Sequence, residues 1–390
     1  MMITFPVRTV AAACALCAAS VLGLAPDAAG TPGGADPGPT AGPRSTAPPA
    51  DPLRRPGTQV RAPAGVRPLP RVSALSWVVA DADSGAVLAA RDAHRALPPA
   101  STLKTLFALT VLPVLPGGVR HTVRAGELKG VGAGSSLVGV AEGHAYRVAD
   151  LWRGVFLSSG NDAVHVLAGM TGGWRGTAAR MQARARSLGA RDTRVVSPDG
   201  YDAPGQVSSA YDLAVFGRAG LRNADFARYC ATVTARFPGS DGRPYPIRNT
   251  NRLLTGADGV ARYRGLVGVK NGYTSKAGHT LVAAARRAGR TLVVTVMNPQ
   301  TGGPHAVYEE ARALLDWGFG AVGRVLPVGS LAVPPRSVAL PGPAATPVAA
   351  ARADAGPGWR ASAAIAGAAV VGGAMVALAL RLMSRRSVPA

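Results

Sequence analysis

Residues 75–109 read LSWVVADADSGAVLAARDAHRALPPASTLKTLFAL, and the architecture is decided within them. Two short apolar runs, 75–80 and 86–90, flank the polar turn Asp81-Ala82-Asp83-Ser84-Gly85, the pattern of an antiparallel hairpin. A proline-rich approach through Pro98 and Pro99 then gives way to apolar residues at helical spacing, predicting a helix over 103–112. The same spacing recurs over 148–157, 163–170, 177–188 and 211–220. Strand candidates return only late, at 266–270, 279–285 and 291–297. A last helix over 304–317 would place Val307, Ala311 and Leu314 on one face. Strands from both ends of the domain must then meet in one sheet, with the helices between them forming an inserted lobe. The expectation is an α/β (α+β) fold, with an antiparallel sheet built from both termini of the domain and a cleft at its seam with the helical lobe.

Working outward, the first thirty residues are weakly basic to Arg8, apolar over 10–24 and small-residue-rich over 25–29, as in a secretory signal peptide. An uncleaved anchor is the alternative, but the apolar run is shorter than the ~20 residues that span a bilayer. Residues 30–70 are dominated by Pro, Gly, Ala and Thr without an apolar period and are expected to be a disordered linker, leaving 71–325 for the folded domain. A second Pro- and Ala-rich stretch over 326–358 precedes the uncharged apolar segment 361–380, which is followed by Arg381, Arg385 and Arg386. That segment is expected to be a transmembrane helix, with the arginines holding the 381–390 tail in the cytoplasm and the domain outside.

The net charge of +22 comes from arginine spread along the chain rather than from one basic block, and only 5% of residues are aromatic. Nucleic-acid binding would call for clustered Lys and Arg interleaved with stacking rings, so no nucleic-acid partner is expected. An exported basic protein is instead expected to meet an anionic cell envelope. Cys14 and Cys17 fall in the expected signal peptide, leaving Cys230 alone, so no internal disulfide can hold the exported domain. The six histidines are scattered without ligand spacing and no Gly-rich phosphate loop follows a strand, so no metal and no cofactor are expected.

Three short motifs carry chemistry. Ser101 and Lys104 lie three residues apart at a helix start, so the amine can reach the hydroxyl and, partly desolvated, take its proton. Alone, the pair is equally a helix N-cap followed by a solvated lysine. Ser158-Ser159-Gly160-Asn161-Asp162 follows an apolar helix; read functionally, Ser159 relays a proton and Asn161 donates to a substrate carbonyl, although Ser-Gly-Asn is also an ordinary helix end. Val269-Lys270-Asn271-Gly272-Tyr273-Thr274 ends a strand. Gly272 would let an extended peptide approach, and Lys270 would supply charge for its terminal carboxylate.

Taken in this order, the motifs resemble the three-part signature of penicillin-binding proteins and serine β-lactamases. Within that group, residues 75–320 are similar to the D-alanyl-D-alanine carboxypeptidase family, through the motif stretches together with SPDGYDAPGQVSSAYDLA and NTNRLL. The resemblance implies removal of the terminal D-alanine from peptidoglycan stem peptides, cell-wall biogenesis as the setting, and β-lactam antibiotics as covalent inhibitors. It implies Ser101 as the acylated nucleophile, Lys104 as its base, and Ser159 with Asn161 as relay and clamp. Lys270, Asn271 and Gly272 would bind the substrate's C-terminal end, and the Ser101 and Tyr273 backbone N–H groups would form the oxyanion hole. Such families usually carry Thr where Asn271 stands, which implies altered carboxylate affinity. Two alternatives stay open: a weakly catalytic wall-binding protein, motivated by Asn271, and a β-lactamase. Against the latter, no Glu lies between Gly143 and Tyr308 to position a deacylating water.

Overall fold

The computed structural model describes residues 51–332. Along the chain run strands β1 (Thr58–Val60), β2 (Ser76–Asp81) and β3 (Ala86–Arg91), helix α1 (Lys104–Val111) and the short pair β4 (Arg120–Thr122) and β5 (Ala145–Arg147). Helices α2 (Val148–Leu157), α3 (Asn161–Gly169), α4 (Gly173–Ser187), α5 (Ala210–Leu221) and α6 (Ala224–Ala231) complete most of the lobe. A second short pair, β6 (Thr234–Phe237) and β7 (Tyr245–Arg248), leads through the single turn α7 (Arg252–Thr255) back to the sheet. There β8 (Leu266–Thr274), β9 (Gly278–Arg287) and β10 (Arg290–Met297) precede α8 (Ala306–Ala321) and β11 (Gly329–Ser330).

The main sheet has seven strands in the order β1-β3-β2-β10-β9-β8, with β11 also paired to β3, and every pairing in it is antiparallel. The N-terminal hairpin and the late strands join where β2 pairs β10, Trp77 opposite Val296 and Val79 opposite Val294. Both faces are covered, and the side-chain alternation of a strand sorts residues between two cores. Val78, Ala80, Val282 and Val293 pack with Phe107, Trp152 and Phe216 of the helical lobe. Trp77, Val79, Leu281 and Val294 pack with Leu314, Leu315 and Trp317 of α8. The mixed fold and the inserted lobe expected from the sequence are therefore present, and 148–157 matches α2 residue for residue.

The expected linker boundaries need correction. Residues 51–70 belong to the domain: β1 pairs with β3, Leu53 is buried, and the Trp317 indole donates to Arg67 O at 3.0 Å. At the other end, β11 extends the domain past residue 325, because the outer edge of β3 still has backbone groups to satisfy. Composition concealed both segments, since Pro and Gly are common in them and each contributes only a two- or three-residue strand. Leu53→Ala is expected to cost about 2–4 kcal/mol, because its side chain fills space directly over Gly329. A denaturant midpoint unchanged by that substitution would show that the segment contributes no packing. The expected signal peptide and membrane helix lie outside the described residues. Among the described residues, no helix is long and apolar enough to cross a membrane.

Candidate active site

Ser101 lies in a 3₁₀ turn, Ala100–Leu103, that leads directly into α1. A 3₁₀ turn has three residues per turn, so side chains three apart eclipse, and Lys104 is brought over Ser101. Lys104 Nζ lies 2.8 Å from Ser101 Oγ, 2.7 Å from Asn161 Oδ1 and 2.7 Å from the Asp199 carbonyl oxygen. The lysine is only 1% exposed. Burial lowers its pKa from 10.5 to about 8, against the opposing pull of the Asp199 and Asp162 charges.

The turn is fixed from two sides. Ala100 has φ +49°, a strained value for a residue with a side chain. Thr280 Oγ1 of β9 donates to Pro99 O at 3.0 Å. From β8, a Cβ on Gly272 would fall 2.7 Å from Ser101 N, so glycine alone permits this approach. Gly200, at φ +82°, is equally constrained, since a Cβ there would stand 2.0 Å from Ala100 O.

Asn161 opens α3, placed by its own N–H to Ser136 O at 2.8 Å. Its amide donates to Ser135 Oγ at 3.0 Å, leaving one amide proton uncommitted. Asp162 beside it gathers the backbone N–H groups of Val138, Gly139 and Val140 at 2.8–3.1 Å, which anchors the 131–140 loop along the cleft. Ser159 is 6% exposed at φ +58°, and it is not among the three partners that saturate the Lys104 ammonium.

Lys270 on the edge strand β8 is also 1% exposed, and its Nζ donates to Asn271 O at 2.8 Å. Burial, with the Lys104 charge adding to it, holds its pKa well below the ordinary lysine value. Asn271 Oδ1 accepts from Thr250 Oγ1 at 3.0 Å. Tyr273 is exposed at the rim, its ring 4.6 Å from that of His279. Ser101, Asn161 and Tyr273 line one cleft of about 220 Å³, together with Tyr201 and Asp202.

The structure thus brings the first two motifs into direct contact and sets the third alongside them. Sequence reasoning missed the second tier: the Asp199 carbonyl, the Asp162 carboxylate, and the Tyr201 hydroxyl, which donates to Ala133 O at 2.9 Å across the cleft. The segment 197–202 was visible as part of the family resemblance, but a main-chain acceptor leaves no mark of its own in a sequence.

This arrangement, a buried lysine on a helix-start serine beside an edge strand, can perform acyl transfer through a serine ester. Comparison with known proteins agrees: residues 62–301 match the family described as D-alanyl-D-alanine carboxypeptidase. The chain belongs to that family. A D-alanyl-D-alanine carboxypeptidase of Mycobacterium tuberculosis is 43% identical over 273 residues, covering 69% of this chain and 90% of the relative. One from Escherichia coli is 34% identical over 262 residues, covering 64% of this chain and 64% of the relative. Among solved structures, the M. tuberculosis D-alanyl-D-alanine carboxypeptidase superposes with a TM-score of 0.64 at 40% identity, covering 70% of this chain and 100% of that one. The Streptomyces K15 DD-transpeptidase gives 0.60 at 25% identity, covering 65% and 99%. The family's mixed fold with an antiparallel sheet is the one described above.

Proposed function

We propose that the domain is a serine-type D-alanyl-D-alanine carboxypeptidase that removes the terminal D-alanine from peptidoglycan stem peptides outside the cell. The observation that carries this reading is the 2.8 Å contact between Ser101 Oγ and the buried Lys104 Nζ, inside a family that carries this name. With Lys104 neutral, the contact reverses: the serine hydroxyl donates to Nζ and gives up its proton as Oγ attacks the scissile carbonyl. The C–N bond breaks, the leaving amine takes the proton, and D-alanine departs from an acyl-Ser101 ester. Water then adds to the ester by the same route and regenerates the serine. The Ser101 and Tyr273 N–H groups are assigned to the oxyanion.

Asn161 holds Lys104 through Oδ1 and keeps one amide proton for the substrate backbone. The relay role of Ser159 rests on the family resemblance. Lys270 and Asn271 are assigned to the substrate carboxylate, with Gly272 leaving room for the peptide to pair along β8. β-Lactams would acylate the same serine. The apolar segment 361–380, with its following arginines, supports tethering to the outer face of the cell membrane, and residues 1–29 support export.

Free D-alanine measured from a pentapeptide ending in D-Ala-D-Ala tests the reading. Labelling by a fluorescent penicillin without any such release would leave a wall-binding protein instead. Gly200→Ala is expected to slow penicillin acylation by about 100-fold, since it must push Ala100 away or pull the Asp199 carbonyl off Lys104. An acylation rate within twofold of wild type would show that this loop does not position the lysine.

A further inference from the structure

A second hollow, of about 380 Å³, lies apart from the cleft and shares no lining residue with it. Val267 in its wall stands near the start of β8, roughly 16 Å along that strand from Gly272. Leu221 adds apolar surface, and Arg218, Arg222 and Arg286 bring charge.

The three guanidiniums come from two elements. Arg218 lies in the last turn of α5, Arg222 is that helix's C-cap, and Arg286 stands near the end of β9. The helix dipole accounts for cations at the end of α5 but not for Arg286. Arg218 is only 9% exposed; its Nε donates to Ala82 O at 2.8 Å and its Nη2 to Asp83 O at 3.1 Å. A Cβ on Gly85 would fall 3.1 Å from Arg218 Cζ, so the hairpin turn presses on the guanidinium and fixes it. Both acceptors are main-chain oxygens, and among the described residues no carboxylate comes within ion-pair distance of Arg218, Arg222 or Arg286. A buried cation without a counter-ion keeps its desolvation cost. Burial, and then the Arg222 charge, pull the Arg218 pKa below its ordinary value, against the Asp81 and Asp83 charges. Asp83 is the one carboxylate in the wall, and one of its oxygens accepts from Thr291 N at 3.1 Å. Three cations and one anion leave the hollow with a formal charge of +2.

We propose that this hollow binds the phosphate of a phosphate ester, with Arg218, Arg222 and Arg286 on its oxygens and the ester's carbons against Leu221 and Val267. Guanidinium forks match phosphate oxygens in pairs, and a phosphomonoester carries close to two negative charges, which balances the wall. A free glycerol phosphate and the same group on a lipid share this chemistry.

The test titrates the full chain, in a nonionic detergent, with glycerol 3-phosphate and with a short-chain phosphatidic acid, each followed by calorimetry. Saturable one-site binding is expected, weakened at least about tenfold in Arg222→Gln/Arg286→Gln. Arg147→Gln/Arg243→Gln, which removes the same charge from β5 and the β6–β7 turn, is expected to stay within about twofold of wild type. Glycerate, with a carboxylate in place of the phosphate, is expected to bind at least about tenfold more weakly. Tighter binding of the lipid than of glycerol 3-phosphate identifies a lipid source within the inference, and equal binding a soluble ester. Binding of neither probe, equal affinity for glycerate, undiminished affinity in Arg222→Gln/Arg286→Gln, or the same loss in both double variants overturns it. Arg222 and Arg286 are exposed, so a thermal midpoint near that of wild type is expected. Should the double variant fail to fold, Arg222→Gln alone must weaken binding at least about threefold, or the inference falls.

Discussion

Replacing Ser101 with alanine is expected to abolish penicillin labelling and to lower D-alanine release by at least about 1000-fold. The magnitude follows from what remains: the cleft still binds peptide, but no atom can form the ester. Water would have to attack the amide directly, with Lys104 aimed at a vacant position. Ser101→Ala leaves α1 and the strained Ala100 turn in place, so a folded, peptide-binding and inactive protein is the expected product. Retention of more than a few per cent of activity, or continued covalent labelling, would assign the nucleophile elsewhere.

The second large effect concerns Lys104 and can be read from a pH profile as well as a substitution. Its pKa is lowered to about 8 by burial, and only the neutral amine can take the serine proton. The sign follows directly: kcat/KM rises with pH through about 8 and then levels off, while below it activity falls about tenfold per pH unit. At pH 7 roughly one tenth of the amine is in the working form. Lys104→Met keeps much of the side-chain volume and removes the base, and a loss of about 1000-fold or more, with the acidic limb gone from the residual profile, is expected. A rate independent of pH between 6 and 9 in the wild type would sink the assignment. The buried contacts of Nζ with Asn161 and the Asp199 carbonyl would be left unpaired by that substitution, so its stability must be measured alongside.

Much of this was legible in the sequence because the decisive signals are local. The hairpin turn at 81–85, the helical spacing of 148–157 and the three-residue step from Ser101 to Lys104 are each written within a dozen residues. What escaped depends on partners far along the chain. β1 is three residues of a Pro- and Gly-rich segment and becomes a strand only because β3 offers an open edge. Helix α6 went unread, although Asn223 caps it and Phe226, Tyr229 and Cys230 are its buried residues, because only those three of its eight residues are buried, against seven of the eight in α1. In the site, the third partner of Lys104 is a main-chain oxygen 95 residues away, to which any residue type could have contributed. The Asn271 departure was visible, but its hydrogen bond to Thr250 was not, since nothing in NTNRLL points toward β8.

The sheet order has a mechanical consequence. Asp51 and Ala332 border one surface hollow, and the terminal strands β1 and β11 lie along β3, at the opposite side of the sheet from β8. A pull delivered through either flank would therefore strain those few peripheral pairings first. Four strands, β3, β2, β10 and β9, stand between β1 or β11 and the working edge β8, so a strain taken up at that flank would be absorbed before it could shift the serine from its lysine.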